Sequence, residues 1–477
     1  MRLVQSKNQF AGKNVLIMGL GSKDGGVGAA QFAHDARAHI TITDLQEKQK
    51  LQSALQELNH IPYNGRFGFH HLDDFLNADI IIKNPGIKRE NRYLQKAEQA
   101  NVIIDTPCGI FSEIHKNPFV GITGTKGKSY TTHLTAHLLK QFKSNCIAAG
   151  NNCVSPLRYV PDNKNNFILE LSSWQLYEMG LHKKSPRIAC WLNLFADHMN
   201  YYTTIADYKE DKYNIARYQQ PEDYLVLPWD KSFYQSLRLT TNKLFFDINQ
   251  NSYLTGNSIP GCFMKDNKIV VRFHNQEEKV ISIKELPREF SCYQHLELLL
   301  ASICNTVAFL LHSGFTNISI NKLKEGIKSF PGLSYRFEVL ADEDKLEIIN
   351  DSASSTPQST EIAIDAVKFK PCILILGGGG HKNLKYENLI NKIVDNNIEA
   401  IVFSEDETSK LLIQGFEKWN YTNFHIVKTM GEAVRLGYSR IRNNETLLLS
   451  PGCSGAPFFR DMFERGEIFK NHLNKLL

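Results

Sequence analysis

Several features that mark whole classes of protein are missing from this chain of 477 residues. No run reaches the roughly 18–20 apolar residues of a membrane-spanning helix, and the first residues lack the apolar core of a signal peptide. The chain also shows no internal repeat and no low-complexity tract. We therefore expect a cytoplasmic globular protein that has no membrane span.

The chain also lacks a large excess of positive or negative charge. The formal net charge is +5 and no basic block stands out, which argues against a nucleic-acid groove and leaves an anionic substrate open. With 42% hydrophobic and 22% charged residues, the composition excludes disordered and fibrous classes. At about 100–200 residues per domain, the length allows two to four domains.

Cysteine pairs of the C-x-x-C type do not occur. The nine cysteines lie at positions 108, 146, 153, 190, 262, 292, 304, 372 and 453, mostly within apolar runs that resemble strands or helices. Buried cysteine is common in folded proteins, and disulfides are rare in reducing compartments. The pattern therefore predicts buried free thiols.

The most informative segment that is present is residues 119–132, FVGITGTKGKSYTT. Its first residues form a short apolar strand. Gly124 and Gly127 allow the backbone to curl so that its N–H groups face an anion. A helix is expected over about 131–141, and its positive end would point at the same anion. The order of strand, turn and helix predicts a phosphate-binding loop.

Two side chains of this loop have the chemistry that a nucleotide requires. Lys128 can reach the terminal phosphates, and the Ser129 hydroxyl can ligate Mg²⁺. We therefore expect nucleotide binding.

The first segment, residues 1–117, alternates strands with helices, which predicts a parallel sheet. Strands are expected at 14–21, 39–44, 78–86 and 102–105. Gly19, Gly21 and Asp44 resemble a dinucleotide fingerprint that lacks a cleanly spaced third glycine. This turn suits the diphosphate of a sugar nucleotide about as well as it suits NAD.

Two further segments follow, residues 118–330 and 331–477. The middle segment begins with the phosphate loop, and residues 222–285 are rich in short strand-like pieces. A long apolar helix is expected at about 296–314. The last segment alternates again, with strands near 345–351, 372–377, 400–403 and 446–450. The predicted fold is α/β with three domains: a Rossmann-like N-terminal domain, a central P-loop ATPase-like domain and a Rossmann-like C-terminal domain.

Candidate metal ligands follow strands of the middle segment. Glu170 ends the strand at 166–170, and the carboxyl ends of strands in open α/β sheets face the ligand crevice. Mg²⁺ prefers one or two carboxylates together with phosphate oxygens and water. His198, beside Asp197, follows the strand at 187–193 and is a second candidate. By pattern alone, Lys212 is one of several lysines on an exposed helix.

Three polar loops follow strands of the last segment: residues 350–357, 377–382 and 450–455. Glycines in the second and third loops allow a ligand to approach the backbone closely, and Lys382 would add positive charge there. Each loop could also be ordinary turn or N-cap chemistry. Together the loops suggest a binding face.

These motifs, in this order, resemble the Mur ligase family, the ATP-dependent amino-acid-adding enzymes of peptidoglycan synthesis. The resemblance covers essentially the whole chain. The matching elements are Asn84–Ile87, Gly124–Thr132, Gly150–Asn151, Glu170–Leu176, Leu192–His198, Tyr335–Arg336, Asn350–Ser355 and Ser450–Gly466.

The resemblance implies a reaction, substrates and cofactors. ATP, with Mg²⁺, would activate the carboxylate of UDP-N-acetylmuramoyl-L-alanine as an acyl-phosphate, and the amine of D-glutamate would then form the amide. Such an enzyme serves cell-wall biogenesis, and through it cell shape and cell division. We expect a monomer with no nucleic-acid partner.

The resemblance also implies roles for individual residues. The catalytic residues would be Lys128, His198 and Lys212, the last as a carbamylated lysine. The metal ligands would be Ser129, Glu170, His198 and Lys212. The ATP-binding residues would be Gly124, Thr125, Lys126, Gly127, Lys128, Ser129, Tyr130, Arg336 and Asp351. The UDP-substrate-binding residues would be Gly19, Gly21, Asp44, Asn84, Pro85, Gly86 and Asn151. The amino-acid-binding residues would be Lys382, Ser454 and Phe463.

The chain departs from the family pattern at several positions. Ala353 stands where the family has a lysine, and Gly455 stands where it has a serine, with Ser454 beside it. Residues 295–299 lack a usual adenine-side asparagine. These departures leave open a ligase that adds L-glutamate, or another Mur-type amide ligase.

Two interpretations that assign the chain to other classes of protein also stay open. An NAD-dependent oxidoreductase would use Gly19 and Gly21 but would leave the loop at 124–129 unexplained. A non-catalytic nucleotide-binding regulator would not need Lys128, Glu170, His198 and Lys212 together.

Overall fold

The computed structural model describes residues 3–21, 24–151, 154–160, 164–195, 201–229, 237, 239–249, 254, 258–343, 346–368, 370–380 and 384–476. The chain divides into two compact units. The first unit is Met1–Glu285 with Glu297–Ser329, and the second is Leu286–Leu296 with Phe330–Leu477. Residues 286–296, which the sequence analysis assigns to the middle segment, therefore cluster with the last one. The three-domain boundaries themselves stay predictions.

A parallel sheet forms the first part of unit one. Its strands are β1 (Asn14–Met18), β2 (His39–Asp44), β3 (Asn64–Phe67), β4 (Ile80–Lys83) and β5 (Ile103–Asp105). Its helices are α1 (Asp24–Asp35), α2 (Gln52–Glu57), α3 (Leu72–Leu76), α4 (Arg92–Gln99) and α5 (Pro107–Ile114). The order is β3-β2-β1-β4-β5, and all neighbouring pairs are parallel. The continuous apolar runs of β1 and β4 are buried, as expected of parallel strands covered on both faces.

Packing explains why the glycines after the first turn do not have the regular spacing of a dinucleotide fingerprint. A Cβ at Gly26 would collide with the backbone of Leu20, so this glycine lets α1 pack closely on the end of β1. A Cβ at Gly28 would collide with the Ser155 side chain, so a second glycine serves contact with the middle segment. The irregular spacing of the fingerprint therefore reflects two separate close approaches.

The second sheet of unit one is larger and mixed. Its strands are β6 (Val120–Thr123), β7 (Cys146–Gly150), β8 (Asn166–Glu170), β9 (Ile188–Trp191), β10 (Tyr224–Pro228), β11 (Asn242–Asp247), β12 (Gly261–Lys265), β13 (Lys268–Phe273) and β14 (Gln276–Ser282). The order is β14-β13-β12-β11-β10-β9-β6-β8-β7. The pairs that join β12, β13 and β14 are antiparallel, and the others are parallel. The phosphate loop follows β6, an interior strand.

The helices of this part of the chain are α6 (Lys128–Lys140), α7 (Ser173–Leu181), α8 (Ile205–Tyr213), α9 (Tyr293–His312) and α10 (Ile320–Lys328). Within α9, residues 294–312 are long and apolar enough to cross a membrane by length and composition, but most of them are buried inside the protein. This is the pattern of a core helix.

The sheet of unit two contains β15 (Glu338–Glu343), β16 (Leu346–Asn350), β17 (Cys372–Leu376), β18 (Glu399–Phe403), β19 (Phe424–Val427) and β20 (Glu445–Leu449). Its helices are α11 (Pro357–Val367), α12 (Glu387–Asp395), α13 (Glu407–Lys418), α14 (Met430–Arg440) and α15 (Met462–Leu473). The order is β15-β16-β20-β17-β18-β19, and only the β15–β16 pair is antiparallel. The predicted α/β fold class is confirmed, and the described residues form three sheets.

Eight of the nine cysteines lie in the described residues, and all eight are free thiols. Cys372 is half-buried and the others are buried, as predicted. Burial raises the pKa of Cys108 to about 12, so this thiol is a weak nucleophile at neutral pH.

A buried ion pair ties the segment 286–296 to the sheet of unit two. Arg288 donates to the Glu347 carboxylate, which is fully buried in β16 and also accepts from the Thr446 hydroxyl at 2.6 Å. Burial raises the pKa of Glu347, but the hydrogen bonds from Arg288 and Thr446 outweigh it, so this pKa lies below its usual range.

We predict that Arg288→Ala destabilises unit two by about 3 kcal/mol, because it removes the main partner of a buried carboxylate. The loss should shrink as the pH falls below the ordinary glutamate pKa of about 4.3 and through the lowered pKa of Glu347, because a protonated Glu347 needs no cation. Urea denaturation at pH 7 and at about pH 3 measures both effects. Lys392→Ala, which removes an exposed pair with Asp365, should change stability by less than about 1 kcal/mol. Equal effects from the two variants would contradict the prediction.

Candidate functional site

The phosphate loop lies between β6 and α6 and has a well-defined backbone. Gly127 has a left-handed φ of +87° and is the N-cap of α6. A Cβ at Gly127 would also approach Leu298 of α9 too closely. Helix α6 therefore begins at Lys128, about three residues before the predicted start, so the backbone N–H groups of Lys128, Ser129 and Tyr130 belong to its first turn. The N–H groups in the first turn of an α-helix point out of its N-terminal end and suit an anion.

Asn193, just after β9, holds the first half of the loop. Its Oδ1 accepts from the backbone N–H groups of Thr125 at 2.9 Å and Lys126 at 3.0 Å. Its Nδ2 donates to the Lys126 carbonyl at 3.1 Å. The N–H groups of Thr125 and Lys126 thus bond the Asn193 side chain, whereas the N–H groups from Gly127 onward lie at the N-terminal end of α6. Sequence reasoning did not single out Asn193, although it lies within the Leu192–His198 motif.

Two lysines reach the base of this loop. Lys128 Nζ donates to the carbonyls of Gly124 at 3.0 Å and Thr125 at 3.1 Å. Lys212 Nζ, on α8, donates to the same Gly124 carbonyl at 3.0 Å and to Thr123 Oγ1 at 3.2 Å. Lys212 is only 1% exposed. The pattern-based expectation of an exposed lysine is therefore wrong, because Tyr208 and Lys212 form the inner face of α8.

Glu170 ends β8, the strand that pairs with β6 just before the phosphate loop. It is fully buried at the end of β8 and pairs with Ile122 of β6. Its Oε1 accepts from Asn151 Nδ2 at 3.1 Å, and its carbonyl accepts from Asn151 N at 2.9 Å. Gly150 turns the chain here at a φ of +107°, where a side chain would collide with the Glu170 carbonyl. The structure thus brings Asn151 and Glu170 together.

The predicted metal ligands at this site suit a Mg²⁺ ion that takes most of its oxygen ligands from substrate and water. Among the described residues, no group of three or more His, Cys, Asp or Glu side chains could hold a metal ion. The predicted oxygen ligands that the structure describes are the buried carboxylate of Glu170 and the half-buried hydroxyl of Ser129. Mg²⁺ bound with nucleotides usually takes one or two protein oxygens and completes its octahedron with phosphate oxygens and water. Of the two other predicted ligands, Lys212 lies at the base of the loop, and His198 lies outside the described residues.

The glycine turn of the first sheet is held by Asp44. Its Oδ2 accepts from Gly21 N at 3.0 Å and its Oδ1 from Gln46 N at 2.8 Å. Gly19 and Gly21 have left-handed φ values of +84° and +66°. The carboxylate of Asp44 therefore supports the turn directly, beside any contact with a ligand.

A cleft of about 230 Å³ within unit one gathers four predicted substrate-binding residues. Asn84, Pro85 and Gly86 line it from the loop after β4, and Asn151 lines it from the turn after β7. Trp174 and Gln175 contribute from α7, and α1 contributes Gly25. The cleft thus connects the first sheet with the strand end that carries Glu170.

In unit two, the turn after β16 forms a buried polar cluster around Asp351. Its carboxylate accepts from Phe337 N at 3.0 Å, from Ser450 Oγ at 2.9 Å and from Ser354 Oγ. Burial raises the pKa of Asp351 to about 6, although these hydrogen bonds oppose the rise. Arg336 is half-buried between Tyr335 and Phe337, which have left-handed φ values of +66° and +51°.

The fully buried Arg465 of α15 joins two of the predicted loops of unit two. It donates to the carbonyls of Ser352 at 2.8 Å, Cys453 at 3.1 Å and Ser454 at 3.2 Å. Ser454 Oγ in turn donates to the Gly380 carbonyl at 3.0 Å. The planar guanidinium fork suits several acceptors at once.

The remaining predicted amino-acid-binding residues are less tied to this cluster. Phe463 is exposed and makes an edge contact with the Tyr335 ring at 5.9 Å between centroids. Lys382 lies outside the described residues.

Sequence models of three families match the chain in order. They are the Mur ligase MurD-like N-terminal domain over residues 13–105, the Mur ligase middle domain over 122–288, and the Mur ligase glutamate ligase domain over 335–453.

Whole-chain comparisons agree with these matches. The UDP-N-acetylmuramoylalanine–D-glutamate ligase of Borreliella burgdorferi is 32% identical over 473 residues, covering 97% of this chain and 98% of the relative. The enzyme of the same name from a Roseiflexus species is 29% identical, with coverage of 97% and 98%. The MurF ligase structure from Thermotoga maritima, a complex with ADP, has a TM-score of 0.57 at 14% identity, covering 98% of this chain and 99% of that one.

The fold, the phosphate loop and these relatives define an ATP-dependent ligase. The chain belongs to the Mur ligase family.

We predict that Asn193→Ala weakens ATP binding by about tenfold or more, because three hydrogen bonds that fix the loop are lost at about 1 kcal/mol each. Asn193→Asp should not restore affinity, since it loses the bond to the Lys126 carbonyl and adds negative charge beside the phosphate site. Calorimetric titration with a non-hydrolysable ATP analogue measures both variants. The control is Asn396→Ala, whose amide only bonds its own helix at Lys392. Wild-type affinity in Asn193→Ala would show that the amide does not shape the loop.

Proposed function

We propose that this chain joins D-glutamate to UDP-N-acetylmuramoyl-L-alanine in the cytoplasm, with ATP as the energy source and Mg²⁺ as the metal. The observation that carries the proposal is the continuity within unit one. Asn151 lines the substrate cleft and bonds Glu170, and Glu170 lies beside the strand that leads into the phosphate loop. Relatives that carry this ligase name match the chain over its full length.

The chemistry requires a carboxylate to meet the γ-phosphate. In the proposed reaction the substrate carboxylate attacks the γ-phosphorus. The bond from this phosphorus to the β–γ bridging oxygen breaks, and ADP leaves with that oxygen and the electron pair. Lys128 and the N–H groups at the start of α6 stabilise the negative charge of the phosphoryl group. The amine of glutamate then attacks the acyl-phosphate carbonyl, loses a proton, and inorganic phosphate departs.

Mg²⁺ would be held by Ser129 and Glu170, with His198 and a carbamylated Lys212 as further candidates. When bound, it would neutralise phosphate charge. A carbamate on Lys212 keeps one N–H, which is compatible with the observed bond to the Gly124 carbonyl.

The other residue roles carry over as proposals. The UDP moiety would be bound by the glycine turn at Gly19 and Gly21 and by the loop at 84–86. Arg336 and Asp351 would contact the nucleotide, and Lys382, Ser454 and Phe463 would contact the amino acid. We also expect a monomer.

Phosphate release with ATP, Mg²⁺ and UDP-N-acetylmuramoyl-L-alanine, measured separately with D-glutamate and L-glutamate, tests the proposal. Release should occur with D-glutamate alone, and mass spectrometry should find the glutamyl adduct. Lys128→Ala should abolish release, because the charge at the γ-phosphate is lost. An adduct with L-glutamate only would identify a variant ligase, and no adduct with either isomer would contradict the proposed substrates.

A second test concerns Lys212. We expect Lys212→Ala to lose most of its turnover and to recover part of it when a small carboxylate such as acetate is added, because a free anion can occupy the place of the carbamate. Lys209→Ala, which alters a half-buried lysine of the same helix, should be insensitive to acetate. A folded Lys212→Ala enzyme that shows no rescue would leave the carbamate without support.

A further inference from the structure

A buried charge network links the loop after β4 to helix α7. Lys83 is 1% exposed and Glu178 is 3% exposed, and Lys83 Nζ lies 2.8 Å from Glu178 Oε1. Arg89, which is 17% exposed, also donates to the Glu178 carboxylate through Nε at 3.3 Å and through Nη2. Charged side chains are rarely buried unless they are paired, so this network has a defined geometry.

Lys83 also fixes the conformation of the loop itself. Its Nζ donates to the Ile87 carbonyl at 3.0 Å, which folds residues 84–87 back over the end of β4. Inside the loop, Asn84 Oδ1 accepts from Gly86 N at 3.1 Å. The backbone N–H of Asn84 donates to the Met18 carbonyl of β1 at 2.8 Å. The Lys83 ammonium group and these two hydrogen bonds thus hold the loop that carries the cleft residues Asn84–Gly86.

Glu178 connects this loop to the strand end that carries Glu170. Helix α7 starts two residues after Glu170 with the N-cap Ser172, whose N–H donates to Gln175 Oε1 at 2.9 Å. Trp174 and Gln175, on the first turn of α7, line the same cleft as Asn84 and Gly86. One turn further, Glu178 binds Lys83 and Arg89. The network therefore fixes both walls of the cleft against each other.

A second cavity, of about 170 Å³, adjoins the network. Its lining includes Lys83, Arg89 and Glu178, and it shares Pro85 and Trp174 with the substrate cleft. Pro85, on the loop that Lys83 bonds, therefore borders both cavities.

We propose that Lys83 and Glu178 are positioning residues that set the distance between the UDP-substrate loop and helix α7. The inference rests on the proposed function, because it assigns the cleft to the UDP substrate. The two residues act through Asn84–Gly86 and need not touch the substrate themselves.

The test compares Lys83→Met with Lys13→Met. Both remove a lysine of the first sheet from an ion pair, but Lys13 pairs with Asp79 at the exposed opposite end of β1. In Lys83→Met we expect KM for UDP-N-acetylmuramoyl-L-alanine to rise about tenfold, with KM for ATP within about twofold of wild type. Lys13→Met should leave both constants unchanged. Glu178→Gln, which keeps the size of the side chain, should reproduce the selective rise.

Each outcome has a distinct meaning. Equal changes in both KM values, or a fall in kcat alone, would overturn the positioning role. If Lys83→Met does not fold, Glu178→Gln decides by the same ratio, and failure of both to fold would make the network purely structural and overturn the proposal. Failure of the wild-type enzyme to use the UDP substrate would instead contradict the proposed function.

Discussion

The buried carboxylate of Glu170 is the constraint on which the first unit depends. A charged group at 0% exposure is costly unless its surroundings supply hydrogen bonds. Asn151 supplies one, and its own backbone is bonded to Glu170, so the turn after β7 cannot move independently. The strand that ends in Glu170 also leads directly into α7. The positions of the cleft wall, the metal candidate and the phosphate loop are therefore linked through one strand end.

Buried ions serve the same purpose elsewhere in the chain. Glu178 holds a loop through Lys83 and Arg89, Glu347 holds the segment 286–296 through Arg288, and Arg465 holds two turns through their carbonyls. Such groups add little net stability compared with well-packed apolar residues, but removing one partner is costly. Their advantage is geometric, because a buried ion tolerates few arrangements of its partners. Two of these networks, those of Glu178 and Arg465, hold loops of the candidate sites.

The sequence predicted those features that local patterns encode. The phosphate loop, the apolar strands and Glu170 at a strand end were all predicted from contiguous residues. Strand β3, with the sequence NGRF, was missed because it has no apolar run, and β15 and β19 lie at sheet edges with weak patterns. The burial of Lys212 and the role of Asn193 depend on contacts with residues about 70–90 positions away. No local pattern contains such information.

The loop at residues 450–455, which we propose contacts the amino acid, contains a glycine that close packing explains. Gly455 stands where the family has a serine, and a Cβ there would approach the backbone of Asp461 within 2.7 Å. A Cβ at Gly379 would likewise collide with the Ser454 carbonyl. A serine at position 455 would require Asp461, the N-cap of α15, to move. The neighbouring Ser454 has a hydroxyl, and its Oγ donates to the Gly380 carbonyl of the other loop. Close backbone contact therefore accounts for a glycine at position 455, and by itself this glycine does not indicate a different amino-acid substrate.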